Sequence, residues 1–389
     1  MKKLKVIGIT AARSEYDLMF SVFKCLNEDE NIDFGLIITG PHLSPTYGLT
    51  RDHVIRDGFK VFDTCFSLVD SDEKIARVIS IGNQIPLIAQ CFYREKPDLV
   101  LTAGDREDVI SACLSAAYMS IPVAHFFGGD IAKDGNIDNT VRYASSKLSH
   151  IHFTTLDQHA DTLKRLGEDD WRIHVVGNPA LDRFLSTKTI DKEDLLVQLG
   201  KDQISKNDYG VVIKHSIITE VDHQERQMRV IMESLLHTEL FYFVNYPNSD
   251  PGSSAIRKVI NDFCAKYPDR FLKFKNLDRA TYVNLLRHAS VLIGNSSSGL
   301  LEAPSLSLPV VNVGNRQRGR VHGENVIFVD HDHSQILAAI DKCLNDINFR
   351  NQVKLGKNPY GDGQSAKRVI KVLKTLELND QLIYKNITY

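Results

Sequence analysis

Short apolar runs alternate with amphipathic stretches almost from end to end, and this pattern limits what the chain can fold into more than any other feature. Residues 4–10, 34–39, 99–103, 123–127 and 151–154 are apolar along most of their length rather than at every second position, as strands buried on both faces are. Helical patterns lie between them. One, over residues 70–94, opens with Asp70 and Glu73 in capping-box spacing and carries Pro86, which is expected to bend or interrupt it. Strand and helix in strict alternation give a parallel, doubly wound sheet. A second series, at 210–214, 240–245, 291–294, 310–313 and 326–329, begins after the polar stretch 188–208. The expected fold class is therefore α/β, with two Rossmann-like doubly wound domains and a ligand cleft between them. They join in the region around 178–208, which is bounded by Gly177-Asn178-Pro179. A length of 389 residues, beyond what one hydrophobic core supports, agrees with two domains.

Charge excludes some partners. With 47 basic against 49 acidic side chains the net charge is −2, so no global field attracts nucleic acid or an anionic membrane, and any phosphate must be held locally. Six cysteines (Cys25, Cys65, Cys91, Cys113, Cys264, Cys343) show neither a C-x-x-C pair nor metal-ligand spacing, so neither a disulfide framework nor a metal site is expected. Met1-Lys2-Lys3 has the charge of a signal peptide, but the apolar run behind it is short and meets Arg13, Glu15 and Asp17. No run approaches the roughly 20 continuous apolar residues of a membrane span. A cytoplasmic protein is expected.

Sheets of this kind bind ligands beyond the carboxyl ends of their strands, so chemistry is sought there. After the first strand comes Thr10-Ala11-Ala12-Arg13-Ser14-Glu15-Tyr16, without G-x-G-x-x-G, which removes the main support for a nicotinamide cofactor. Arg13 stands at a helix N-terminus, where it either meets an anion or pairs with a nearby carboxylate. Gly104-Asp105-Arg106-Glu107-Asp108 crowds carboxylates at another strand end, to serve either in acid–base chemistry or as an acidic helix start. Gly128-Gly129-Asp130 ends a third strand, and a short loop leads to Asp138 and Arg142, spaced to share one helix face. His215 follows the strand 210–214, whereas His125, His150 and His152 read as packing residues. Gly294-Asn295-Ser296-Ser297-Ser298-Gly299 opens a helix that carries Glu302, one turn inside, and suits a pyrophosphate. Asn315-Arg316-Gln317-Arg318-Gly319-Arg320 clusters three guanidiniums, either for a phosphate or as a solvated loop.

Jointly these segments, with Gly323-Glu324-Asn325-Val326 and Tyr360-Gly361-Asp362-Gly363, resemble the hydrolysing UDP-N-acetylglucosamine 2-epimerases over nearly the whole chain. The resemblance implies a glycosyltransferase-B-like arrangement. Residues 1–180 would form the sugar-side domain, 181–365 the UDP side, and 366–389 a helix and tail crossing back to the first. Carried over by position, Arg13, His215, Asn248, Ser296, Ser297 and Glu302 look like the UDP-binding set, joined by Arg106 and Arg316. Asp105, Glu107, Asp130, Asp138 and Arg142 look like the sugar-side set. The chain departs from the family pattern at Asp130, where Glu is common, at Ser216, where Pro is common, and at Asn139 and Tyr143.

The implied substrate is a UDP-sugar and the implied reaction removes the C2 proton, expels UDP to leave a glycal, and adds water with inversion at C2. Such an elimination needs a placed base and donors for the departing diphosphate. Asp105, Asp130 and Asp138 are the candidate acid–base group, titrating jointly, and His215 the candidate donor to the phosphate. Neither cofactor nor metal is called for. UDP-N-acetylglucosamine, giving N-acetylmannosamine, is the first substrate expected. UDP-N,N'-diacetylbacillosamine is the alternative, a glycosyltransferase of the same fold or a non-catalytic UDP-sugar sensor a more distant one. A homodimer or homotetramer is implied by resemblance alone.

Overall fold

The computed structural model describes residues 3–71, 73–131, 137–204, 208–248, 250–275 and 277–386. Met1-Lys2, positions 132–136 of the loop between Asp130 and Asp138, positions 205–207 of the polar stretch and the last three tail residues lie outside these. The chain divides into two compact units, one of Met1–Arg183 with Tyr360–Tyr389 and one of Phe184–Pro359. The Tyr360-Gly361-Asp362-Gly363 segment thus belongs with the first unit, where residues up to 365 were expected in the second.

The first unit holds seven strands: β1 Leu4–Thr10, β2 Ile32–Thr39, β3 Val61–Cys65, β4 Leu99–Ala103, β5 Val123–Phe126, β6 Ile151–Thr154 and β7 Ile173–Val175. All pair parallel, in the order β3-β2-β1-β4-β5-β6-β7. The second holds β8 Tyr209–Ile213, β9 Phe241–Asn245, β10 Phe271–Phe274, β11 Val291–Gly294, β12 Val310–Val313 and β13 Val326–Val329, parallel in the order β10-β9-β8-β11-β12-β13. Both strand orders reverse direction once, between β1 and β4 and between β8 and β11. Those are the switch points where connections diverge and a crevice opens at the carboxyl ends of the strands.

Continuous apolar runs become central strands because each face has its own core. Val6 and Leu36 enter one cluster of the first unit, while Ile7 and Ile37 enter the other. In the second unit Val212 and Ile293 face one cluster, Val211 and Leu292 the other. The three strands that the sequence pattern did not predict, β3, β7 and β10, all lie at sheet edges. Their side chains are mostly half-buried, so no apolar run marks them.

The helix Lys74–Glu95 corrects two expectations. Pro86 neither ends nor splits it. The carbonyl that a proline ring displaces is four residues back, on Gly82, which is exposed with open space around it. Asp70 does not cap it either: its carboxylate accepts the hydroxyls of Ser44 (2.9 Å) and Thr46 (2.6 Å), and Glu73 takes the cap position. By length and composition this helix could cross a membrane, where no such segment was expected. It lies instead against the helix Glu107–Tyr118 and sends Ile88, Cys91 and Phe92 into the core.

The closing helix Ser365–Thr375 packs on the helix Arg13–Glu28 and adds Val369 and Leu373 to the first unit's core. Asp182 fixes its start, accepting the backbone N–H of Ser365 (3.0 Å) and Ala366 (2.7 Å).

Candidate active site

At the first switch point β1 hands over to Arg13 and β4 to Gly104 and Asp105. The centre of this region is Arg142, on the helix Asp138–Leu148 and only 8% exposed. Its Nη2 is in contact with the Asp105 carboxylate, its Nη1 donates to the carbonyl of Asp130 at 2.6 Å, and its buried Nε has no partner among the described residues. Burial raises the Asp105 pKa; Arg142 opposes the rise and Asp138 adds to it. Asp105, Asp138 and Arg142 are therefore brought together. One close cation holds a half-desolvated carboxylate ionised while a second carboxylate pushes it towards accepting a proton, which is the balance a base requires.

Two expected members stand differently. Asp130 contributes its carbonyl to Arg142, but its carboxylate lies 3.4 Å from His159 Nε2 and accepts the N–H of Ile131 at 2.8 Å. Gly129 sets that turn at φ +78°, where a Cβ would come within 2.0 Å of the His159 carbonyl. Glu107, expected on the sugar side, is tied to Arg77 of the helix Lys74–Glu95. Arg13 is exposed, with Nε 3.7 Å from Asp17 one turn on, and Arg106 is the exposed residue that starts the helix Glu107–Tyr118.

Two buried carboxylates were not among the expected site residues, although Asp108 belongs to the acidic strand end already noted. Glu15 and Asp108, 7% and 3% exposed, sit in the first turns of the helices that follow β1 and β4. Burial, the largest cause, raises both, and the negative charge of Asp108 raises Glu15 further. Glu15 accepts the backbone N–H of Ala11 at 3.3 Å while its other oxygen, buried, is unbonded among the described residues. The available signal was a Glu at the third helical position after a strand, where a carboxylate reaches back to a free N–H. His125, read as packing, is that and more. Fully buried and held near pKa 3 by loss of solvent, it stays neutral. Its Nε2–H donates to the carbonyl of Gly104 at 2.7 Å, and its Nδ1 accepts the hydroxyl of Ser146 at 3.1 Å.

In the second unit, β8 leads into Lys214 and His215, and β11 into Asn295 and three serines. Gly294 makes that exit at φ +129°, where a Cβ would lie 2.1 Å from the carbonyl oxygen of Ile213. Only glycine allows β11 to end so close to β8. Asn295 locks the two loops, accepting the His215 N–H (2.7 Å) and donating to its carbonyl (2.9 Å). Burial first, then the charges of Arg316 and Lys214, lower His215 to about 4. Its Nδ1 accepts the Asn248 N–H at 3.4 Å, which leaves the ring proton on Nε2 as a donor. The Asn248 side chain itself donates to Asp250.

Ser297 begins a helix of a single turn, Ser298–Leu301, and Glu302 is the residue that closes it, not one inside a longer helix. The Ser296 hydroxyl accepts the Ser298 N–H (3.2 Å). Burial raises the Glu302 carboxyl, against a hydrogen bond from Ser298 and the charge of Arg279. Of the basic loop, Arg316 and Gln317 reach this region, both donating to the Asn295 carbonyl (3.1 and 3.0 Å), while Arg318 pairs with Asp330 and Arg320 with Gln317. Among the described residues no group of three His, Cys, Asp or Glu side chains could hold a metal ion.

Two parallel doubly wound sheets, each ending at its switch point in polar, anion-ready loops, define a two-domain Rossmann-like protein of the glycosyltransferase-B type. The chain belongs to the UDP-N-acetylglucosamine 2-epimerase family, whose model matches residues 24–374. It is 35% identical over 385 residues to the hydrolysing UDP-N,N'-diacetylbacillosamine 2-epimerase of Legionella pneumophila, covering 99% of each chain. It is 30% identical to the hydrolysing GDP/UDP-N,N'-diacetylbacillosamine 2-epimerase of Campylobacter jejuni, again over 99% of each. Its fold matches that of a UDP-N-acetylglucosamine 2-epimerase from Methanocaldococcus jannaschii with a TM-score of 0.77 at 20% identity, over 95% of this chain and 99% of that one.

Proposed function

We propose that the chain is a hydrolysing 2-epimerase that converts UDP-N,N'-diacetylbacillosamine and water to UDP and the free 2,4-diacetamido-2,4,6-trideoxymannose. The observation that carries this choice is the full-length likeness, at 35% identity, to an enzyme named for that substrate. It displaces UDP-N-acetylglucosamine, the first substrate expected from the sequence, to the role of comparison.

In the proposed reaction a carboxylate removes the proton from C2, the C1–O bond breaks with its electron pair leaving on UDP, and a C1=C2 double bond remains. Water then supplies a hydroxyl to C1 and a proton returns to C2 on the opposite face. Asp105 is the proposed base, because among the described residues it is the candidate carboxylate that is both desolvated and in contact with a buried cation. Asp138, whose charge bears on Asp105, is the proposed partner in returning the proton. Arg142 is proposed to position the sugar side, with Asp130 holding it by the backbone carbonyl and Glu107, tied to Arg77, in a supporting place. His215, neutral and with its proton on Nε2, is proposed to donate to the departing phosphate. Arg13, Arg106, Asn248, Ser296, Ser297, Glu302 and Arg316 are proposed to bind UDP, with anionic oxygens on the serine loop. The same reading includes a homodimer or homotetramer. Exposed Ile75, Val78, Ile79 and Tyr93 along one long helix support it.

Both nucleotide sugars, supplied in deuterated water, test the reading. Release of UDP together with a free sugar deuterated at C2, at least about tenfold faster from the diacetamido substrate, is expected. Absence of UDP release from either, or a product without deuterium at C2, refutes the route; equal rates or a preference for UDP-N-acetylglucosamine refutes the substrate.

A further inference from the structure

Far along the chain from the candidate residues, the C-terminal segment closes on the helix that carries two of them. The short helix Asp380–Ile383 is seated by Arg172, itself 1% exposed, whose guanidinium donates to the carbonyls of Leu382 (2.8 Å), Gln381 (3.0 Å) and Tyr384 (2.8 Å) and to that of His150 (3.2 Å). Leu382, 1% exposed, joins the core of the first unit. This seating delivers Lys385 to one place. Its ammonium donates to the carbonyls of Ser146 (3.2 Å), Lys147 (3.0 Å) and Ser149, and lies 2.7 Å from a carboxylate oxygen of Glu168.

Those three carbonyls end the helix Asp138–Leu148. The last carbonyls of a helix have no partner one turn on and carry its negative dipole end. The Ser146 carbonyl also accepts the Ser149 N–H (3.1 Å), so the buried ammonium adds a second donor there, gives the carbonyls of Lys147 and Ser149 a donor, and opposes that charge. Burial lowers the Lys385 pKa to about 8, which leaves it mostly charged at neutral pH. Glu168, 2% exposed, is the fixed counter-charge. Burial alone would raise it, but His152 at 2.8 Å, Lys385 and Lys147 outweigh that and bring it down to about 2.

From the capped helix two arms reach Asp105. Arg142, one turn before Ser146, holds the carboxylate directly. Ser146 holds it through the backbone, by way of the His125 ring and the Gly104 carbonyl next to Asp105. We propose that Lys385 is a positioning residue of the active site: by capping the helix Asp138–Leu148 it fixes the register of Arg142 and Ser146, and through them the place of the Asp105 carboxylate. The catalytic part of this inference rests on the proposed function; the capping part does not.

The test uses the full chain with Lys385→Met and Lys385→Arg. Misplacing a base by a fraction of an ångström to an ångström costs about ten- to a hundredfold in rate. Lys385→Met is therefore expected to lower kcat for UDP release about tenfold or more. KM and the affinity for UDP should change less than about twofold, because the UDP-binding residues lie mainly in the other unit. Lys385→Arg, which keeps a cation against the carbonyls, restores most of kcat. In parallel, amide hydrogen exchange is expected to rise in residues 138–148 of the Met variant while 107–118 stay protected. Unchanged exchange in 138–148 overturns the proposal, as does a full kcat in the Met variant, or kcat and KM falling together without rescue by Arg. If the wild-type protein releases no UDP from either sugar, the function reading fails, and the exchange experiment still decides the capping role.

Discussion

Replacing Arg142 by Met removes the cation that keeps Asp105 ionised and leaves its surroundings otherwise close to unchanged in volume. The Arg142 and Asp105 side chains are 9% and 17% exposed, so little solvent takes over the charge. Breaking a buried pair from one side costs about 3–5 kcal/mol, and the residual exposure of Asp105 puts the expected loss near the lower end, about 3 kcal/mol. The carboxylate can relieve this by taking up a proton. Burial and the charge of Asp138 already push it that way, and nothing of Arg142 remains to oppose them. A base that is protonated at the outset cannot remove the C2 hydrogen, so turnover at neutral pH should fall between about ten- and a hundredfold. The sign follows from the same shift. Raising the folded-state pKa moves the acidic limb of the rate profile to higher pH, so the variant should regain part of its activity in alkaline buffer while the wild-type protein has reached its plateau. UDP release measured from pH 5 to 9.5 checks this, with Arg142→Lys expected in between. A loss equal at every pH, with the acidic limb unmoved, would show that Arg142 does not act through the ionisation of Asp105.

Asp105→Asn is expected to abolish turnover with UDP affinity nearly intact; calorimetry showing UDP binding lost to the same extent would assign Asp105 to ligand positioning instead. Gly294→Ala places a Cβ against the Ile213 carbonyl at a left-handed φ, and should cost about 3 kcal/mol or more together with UDP binding; denaturant midpoints within error of the wild type would contradict the close approach of β8 and β11. His42 and His150 are held near pKa 4 and His125 near 3, in each case first by burial. Each folded-state pKa lies below the unfolded value of about 6.5, so the folded form binds fewer protons and stability is lost as pH falls from about 6.5 towards 4, by several kcal/mol in all. Urea midpoints at pH 7.5 and pH 5 measure it, and a flat profile would mean that these rings are charged or solvated.

Strand ends were legible in the sequence because a buried parallel strand must be apolar throughout and the polar residue that follows it has to leave the sheet; Asp105, His215 and Asn295 are all of this kind. What the pattern could not carry was direction. Glu107 and Asp105 are two residues apart, yet one meets Arg77 and the other Arg142, since successive positions at a helix start point to different sides. Asp130 sits at the expected strand end, but a left-handed Gly129 turns its carboxylate to His159 and its carbonyl to Arg142. The burial of Glu15 and Asp108 was hidden because charged residues are presumed solvated until a structure shows otherwise. The tail contacts were beyond reach altogether, for Lys385 and Ser146 are separated by 239 residues and neither belongs to a recognisable pattern.

The neutral state of His125 has a consequence for the site that its packing alone does not require. An imidazolium at that position would place a second positive charge close to Arg142, and the repulsion between them is one of the causes that keep the ring neutral. Being neutral, the ring can accept from Ser146 at one nitrogen while donating to Gly104 at the other, a relay that a doubly protonated ring could not make. Geometry at Asp105 is thus carried by neutral hydrogen bonds through the backbone as well as by Arg142, whereas its ionisation rests on the close ion pair with Arg142. Separating the two explains why substitutions at His125 and Arg142 should differ in kind: loss of the first should scatter the carboxylate's position at every pH, and loss of the second should change the pH at which it works.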